Sequence, residues 1–192
     1  MNAKAAPILL LDQDSTLVDW DDSGYNHNAL ILDPTITPVP RELRTSYGWM
    51  TESDHHPELR TKALNAPGFY RNLVPYEGAV KAVQEMRQAG INVFILTTPY
   101  ATHDTCASEK YANVAEHFGR DMIEKTILSY DKTLVSGALL VDDKPVIKGA
   151  MTPTWNRIFF DQPYNAQLPG PRLHHWDKWE SVIIPELERL GF

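Results

Sequence analysis

Cysteine is almost missing from this 192-residue chain. Cys106 stands alone, so no internal disulfide and no cysteine zinc cluster can form, and a reducing cytosol is the expected setting. Positive charge is also short: 18 Lys and Arg against 25 Asp and Glu leave a net charge of -7. That excludes the basic face that tracks a nucleic-acid polymer, though local donors and a metal could still hold a nucleotide monomer. No apolar run approaches membrane-spanning length, and Met1 to Pro7 lacks the charged and long apolar regions of a signal peptide. A cytoplasmic protein with no membrane partner is therefore expected. Repeats and low-complexity tracts are absent too. Hydrophobic residues make up 43% of the chain, enough for one full core with a small appended lid.

What the chain does have starts at Ile8-Leu9-Leu10-Leu11, read as a strand buried on both faces of a parallel sheet. The run stops at Asp12, with a second carboxylate at Asp14 and a small polar turn through Leu17. Ligands of open α/β sheets bind at the C-terminal ends of strands. Two carboxylates there repel each other and lose solvation unless a cation or shared proton compensates. Bound Mg2+ would do so through hard oxygen ligands.

Residues 19–76 then interrupt the α/β rhythm. They are polar, rich in Pro, Asp and aromatic residues, and carry mixed short elements. An insertion there would sit above the strand ends as a mainly helical lid. The expected division is a core of residues 1–18 and 77–192 and a cap of residues 19–76. Regular order returns with Ala79, Val80, Val83 and Met86 at helical spacing, closed by Gly90. Ile91 to Leu96 reads as a strand ending at Thr97-Thr98-Pro99, and residues 106–118 as a helix closed by Gly119. Further strands are expected over 126–128, 138–141 and 157–160, and a last helix over about 178–190. Strands alternating with helices imply a doubly wound parallel sheet.

Four strands thus end in chemically useful groups: Asp12 and Asp14, Thr97 and Thr98, Lys132, then Asp142 and Asp143. Any one could be a turn or a solvated charge; in parallel strands all gather on one sheet edge. Together they suit phosphoryl transfer, which needs a nucleophile, charge neutralisation and fixed donors for the phosphoryl oxygens. A carboxylate can be the nucleophile, and a neighbouring one can protonate the leaving oxygen and activate water.

These motifs resemble the haloacid-dehalogenase-like phosphatases, and more closely their 5'(3')-deoxyribonucleotidases. The likeness runs through Glu77-Gly78-Ala79-Val80, Val93 to Pro99, Glu109-Lys110-Tyr111-Ala112, Asp131 to Ser136, Leu140 to Pro145, Pro153-Thr154-Trp155 and Leu173 to Trp176. The resemblance implies a Mg2+-dependent enzyme that dephosphorylates deoxyribonucleoside monophosphates, with dimers suggested by relatives. It makes Asp12 the nucleophile and Asp14 the general acid–base, with Asp12, the Asp14 carbonyl and Asp143 as metal ligands. Asp142 would orient the metal's waters, Thr97, Thr98 and Lys132 would bind phosphate, and Glu109 and Lys110 would be supporting structure. Trp20 and Trp49 fall about where the family lines its nucleoside pocket with aromatics. Three positions depart: Ser15 replaces the usual Gly after the second Asp, Thr98 replaces the family's Ser after the strand-end Thr but keeps the hydroxyl, and Gly48 stands where another aromatic is expected. The rival readings are a sugar-phosphate or ribonucleotide phosphatase, a dehalogenase and a non-catalytic nucleotide-binding protein. Retention of Asp14 and the acidic pair argues against the dehalogenase, and filled catalytic positions argue against the binding protein. His55-His56 and His174-His175 are adjacent pairs whose side chains diverge, so they read as surface or packing residues.

Overall fold

The computed structural model describes residues 6–48 and 57–192. Strand β1 (Ile8–Leu11) is the apolar run before Asp12. The chain then leaves the sheet through β2 (Val18–Asp19), a π-helical turn (Asp21–Asn26), α1 (His27–Leu32) and α2 (Pro57–Leu64). It returns through β3 (Val74–Pro75), which pairs antiparallel with β2, so a short two-strand stalk carries the insertion. There follow α3 (Ala79–Gln88), β4 (Asn92–Thr97), α4 (Cys106–His117) and β5 (Thr126–Leu128). The chain ends with β6 (Leu139–Asp142), β7 (Asn156–Phe160), β8 (Arg172–Leu173) and α5 (Trp179–Arg189).

Six strands form one sheet in the order β5-β4-β1-β6-β7-β8, and every pairing in it is parallel. The order reverses beside β1, the topological switch point at which such sheets bind ligands. Leu11 lies in register with Ile95 of β4 and Val141 of β6. Asp12, Thr97 and Asp142 consequently leave the sheet along the same edge.

Alternation along β1 sorts its side chains between two apolar layers. Leu9 and Leu11 join Val93, Ile95, Leu139 and Val141 in the layer that buries α3, α4 and α5. Helix α3 presents Ala79, Ala82, Val83 and Met86 to it, an i, i+3, i+4, i+7 stripe. Leu10 turns the other way, to Leu96, Leu140 and Trp155. Among the described residues that face is covered by connecting loops, which supply Val135 and Ile147, and not by α-helices. The α/β core with an inserted helical segment is as expected, but its second layer is thinner than a strict strand–helix alternation implies. The two-residue strands β2, β3 and β8 have no counterpart in the sequence reading. Gly90 and Gly119 both adopt positive φ, +84° and +104°, where α3 and α4 have ended. Among the described residues no helix is long and apolar enough to cross a membrane.

Candidate active site

The loop after β1 curls back on itself, with Leu17 and Val18 both donating backbone N–H to the Gln13 carbonyl at 2.8 and 3.0 Å. Alternation sends Asp12 and Asp14 toward the open edge and Gln13 inward, where its Nε2 donates to Asn113 of α4 at 3.0 Å. Ser15 adopts φ +55°, the sole positive φ of a non-glycine among the described residues. Gln162 holds that turn by donating Nε2 to the Ser15 carbonyl at 2.7 Å, and the Trp176 indole donates to the Thr16 carbonyl at 2.9 Å. Helix-facing and loop-facing contacts thus pin each side of the turn.

Around this loop the charged groups interlock. Asp12 Oδ1 accepts the Gln13 N–H at 2.8 Å and meets the Lys132 ammonium at 2.8 Å. Lys132 also donates to Asp142 Oδ2 at 2.6 Å, while the Lys144 N–H donates to Asp142 Oδ1 at 2.8 Å. Asp143 accepts from the Thr16 hydroxyl at 3.2 Å on Oδ1 and from the Tyr164 hydroxyl at 2.5 Å on Oδ2. Asp14 Oδ2 accepts from Lys110 at 2.6 Å, and the same ammonium donates to the Thr97 hydroxyl at 2.9 Å. Lys110, expected as nearby support, is therefore wholly buried inside the cluster. Burial pushes the Asp12 carboxyl up to about 6, aided by the charges of Asp142 and Asp14 and opposed by Lys132. Burial and then the charges of Asp142 and Asp12 push Asp143 up to about 8. Burial works against the charge on Lys132, yet Asp12 and Asp142 overcome it and hold the ammonium above its ordinary value.

Asp12, Asp142 and Asp143 each offer a carboxylate oxygen within 4.8 Å of the others. These three buried carboxylates face the Lys132 ammonium and the Arg157 guanidinium, which lies 3.6 Å from Asp142 Oδ1, so one negative charge is left under-compensated, and their hard oxygens fit a divalent cation such as Mg2+. Asp142 is compensated by cations, Lys132 at 2.6 Å and Arg157 at 3.6 Å, whereas the side-chain donors to Asp143 among the described residues are the neutral Thr16 and Tyr164 hydroxyls, which favours Asp143 as the direct ligand. Asp14 Oδ1 is shielded from solvent and has no hydrogen-bond partner among the described residues, a second polar atom that a bound group would satisfy.

Over this floor lies a cavity of about 360 Å3, lined also by Thr97, Thr98 and residues of the insertion. Thr98 donates its hydroxyl to the Ser129 carbonyl at 2.9 Å, so that proton is directed into the loop after β5. Trp20 lines the wall, stacked on Tyr25 at 6.2 Å and edge-on to Phe69 at 5.8 Å. Tyr70 and Leu64 extend the same wall, and Gly48 lies at the cavity, with no atom of the described residues within 4 Å of its missing Cβ. Trp49 and His55-His56 lie outside the described residues. Arg44 enters the lining from the insertion, donating to both oxygens of the fully buried Asp21 at 2.9 and 3.0 Å. Burial pushes Asp21 up to about 6 even with the Arg44 guanidinium beside it. Glu109 ties the end of the insertion to α4 by accepting the backbone N–H groups of Gly68 and Tyr70 at 2.8 and 3.0 Å. His174 is exposed and paired with Asp161 at 3.0 Å, in keeping with a surface role. Cys106 is buried at the start of α4, and burial pushes its thiol up to about 11.

Comparison with known proteins agrees with this geometry. Residues 7–188 match the family described as "5' nucleotidase, deoxy (Pyrimidine), cytosolic type C protein". A Bordetella pertussis protein provisionally named a 5'(3')-deoxyribonucleotidase is 42% identical over 95% of this chain and 98% of its own. The human cytosolic-type 5'(3')-deoxyribonucleotidase is 35% identical over 91% of this chain and 92% of its own. Among solved structures, a Deinococcus radiodurans HAD family hydrolase with bound phosphate and sodium superposes with a TM-score of 0.61 at 11% identity. It covers 95% of this chain and 96% of that one, a likeness of fold. With carboxylates, lysines and hydroxyls gathered at the switch point of a parallel sheet, and with relatives matched along nearly the whole length, the chain belongs to the 5'(3')-deoxyribonucleotidase family of HAD-fold phosphoric monoester hydrolases.

Proposed function

We propose that this protein hydrolyses deoxyribonucleoside monophosphates to nucleoside and phosphate, using Mg2+ and a phosphorylated Asp12. One observation carries the reading: Asp12, Asp14, Lys132 and Asp143 meet at the floor of a cavity whose wall is formed by Trp20, Tyr70 and Leu64. Trp20 offers an aromatic surface of the kind on which a base stacks. The names of the relatives point to the same substrate class.

Asp12 Oδ1 is fixed by Gln13 and Lys132, and Oδ2 takes no hydrogen bond among the described residues. Oδ2 is therefore the attacking atom. As its bond to phosphorus forms, the ester bond to the nucleoside oxygen breaks and Asp14 supplies the proton to that oxygen. Asp14 then takes a proton from water, whose oxygen attacks phosphorus and releases the Asp12 carboxylate and inorganic phosphate. Lys110 fixes Asp14 and Thr97 relative to each other, and Lys132 offsets charge on the transferring group. Asp12, the Asp14 backbone carbonyl and Asp143 would hold the cation, which when bound neutralises charge on the phosphoryl oxygens. Asp142 keeps Lys132 and the Lys144 backbone in place beside it. Residues 19–76 act as a cap that places Trp20 over the nucleoside, with Trp49 contributing to substrate binding and Thr98, its hydroxyl held by the Ser129 carbonyl, contributing through its place in the lining.

The test is phosphate release from dTMP, dUMP, dGMP and their ribonucleotide counterparts, with Mg2+ and with EDTA. Turnover is expected to need Mg2+, to favour the deoxy substrates and to fall by at least about 1,000-fold in Asp12→Asn. Activity confined to sugar phosphates would retain the chemistry and reject the substrate.

A further inference from the structure

Tyr164 lies in the 3-10 turn Pro163–Asn165 that follows β7, and its two ends face different parts of the molecule. Its hydroxyl donates to Asp143 Oδ2 on the core. Its ring lies edge-on to Tyr47 at 5.6 Å and beneath the Arg44 guanidinium at 4.6 Å, both residues of the insertion. The turn that carries it is braced independently. Asn165 Nδ2 donates to the carbonyls of Asp143 and Phe160 at 2.6 and 2.9 Å, and Arg172 donates to Asn165 Oδ1 at 2.6 Å. A ring on so fixed a turn has little freedom to drift, so it transmits the position of one neighbour to the other. Among the described residues Asp143 has one further side-chain donor, the Thr16 hydroxyl, which lies in the core loop. Tyr164 alone among these two partners also touches the insertion.

We propose that Tyr164 is a positioning residue that couples cation binding at Asp143 to docking of the cap segment around Arg44 and Tyr47 over the cavity. A hydrogen bond to a ligand's unused lone pair sets the carboxylate's orientation, and such outer partners govern metal affinity. Since coupling is reciprocal, a cation that fixes Asp143 also fixes the surface on which Arg44 and Tyr47 rest. The inference rests on the cation site proposed above and not on the identity of the substrate.

The test uses the full chain, with Mg2+ affinity from calorimetry and amide exchange of residues 41–47 with and without Mg2+. In the wild type, Mg2+ slows exchange across 41–47. Tyr164→Phe keeps the ring and removes the hydroxyl; it is expected to weaken Mg2+ binding about 10-fold and to abolish the Mg2+ effect on exchange. Tyr47→Leu, which leaves the Asp143 hydrogen bond intact, is expected to remove the exchange effect with a smaller loss of Mg2+ affinity. In phosphatase assays the Mg2+ concentration for half-activation rises about 10-fold in Tyr164→Phe and excess Mg2+ restores kcat, whereas a folding defect lowers kcat at every concentration. Wild-type Mg2+ affinity and an undiminished Mg2+ effect on 41–47 in Tyr164→Phe would overturn the proposal. A wild type that binds no Mg2+ would overturn both it and the cation site. Mg2+ binding without nucleotide turnover would reject the substrate reading alone, because affinity and exchange still report the coupling.

Discussion

Ser15 occupies a conformation that L-residues avoid, because at φ +55° the Cβ crowds the carbonyl oxygen. The cost is offset by the Gln162 donor at its carbonyl and by its N–H, which donates to the Val18 carbonyl at 2.9 Å. Glycine would keep both bonds without the steric penalty, at the expense of a more flexible unfolded chain. Ser15→Gly is thus expected to raise the unfolding free energy by about 0.5–1 kcal/mol in denaturant titrations, and a loss of stability would show that the Ser15 side chain contributes packing the backbone argument omits. The departure from the family's usual Gly was visible in the sequence; that this residue needs positive φ was not. The same limit runs through the site. Asp12, Thr97 and Asp142 were legible because each closes an apolar strand, and parallel strands deliver their ends to one edge. Lys110 sits within a helix and Tyr164 in a loop, and nothing in their neighbours signals the partners 96 and 21 residues away that they grip.

Among its described residues the inserted segment holds one buried ion pair, Arg44 with Asp21 at 2.9 Å. Asp21 is inaccessible to solvent and Arg44 nearly so, and the guanidinium also donates to the Tyr47 carbonyl at 3.0 Å. Arg44→Ala would leave a buried carboxylate uncompensated, a change that costs about 3–5 kcal/mol. Because burial already pushes Asp21 up to about 6, acid relieves the defect by protonating it. Denaturant titrations should find the Arg44→Ala penalty smaller at about pH 5 than at about pH 8, since only the charged acid needs the guanidinium. A penalty equal at both would mean that Arg44 acts by packing against Trp20 and Tyr164, whose rings lie 5.2 and 4.6 Å from it. Nothing in the sequence joins residues 21 and 44, since neither lies in a period long enough to show a buried face. Short elements hide for the same reason: two residues of β2 and two of β3 make a stalk without making a pattern. Helices α3, α4 and α5, each of at least 10 residues, fell within a few residues of their expected bounds, α3 through its apolar spacing and α4 through the Gly119 that closes it.

Over the molecule as a whole, burying acids at the floor of the site sets how stability depends on pH. Asp12 and Asp21 are each pushed up to about 6 and Asp143 to about 8, from an ordinary 3.8. Between those limits the folded chain binds more protons than the unfolded chain, so the unfolding free energy falls as pH rises. The acids held below their ordinary value, among them Asp131 with its Thr133 and Ala150 donors, contribute in the opposite sense but only at more acid pH. In EDTA the melting temperature is therefore expected to fall from about pH 5 to about pH 8. Mg2+ binds the ionised carboxylates and competes with protons, so its stabilisation should be small near pH 5 and large near pH 8, flattening the profile. Asp143→Asn removes the acid with the largest rise at the floor and should flatten the EDTA profile without Mg2+, while blunting the response to the ion. Melting temperatures in EDTA that rise with pH would contradict the sign of the argument, because they would require the folded chain to bind fewer protons than the unfolded one.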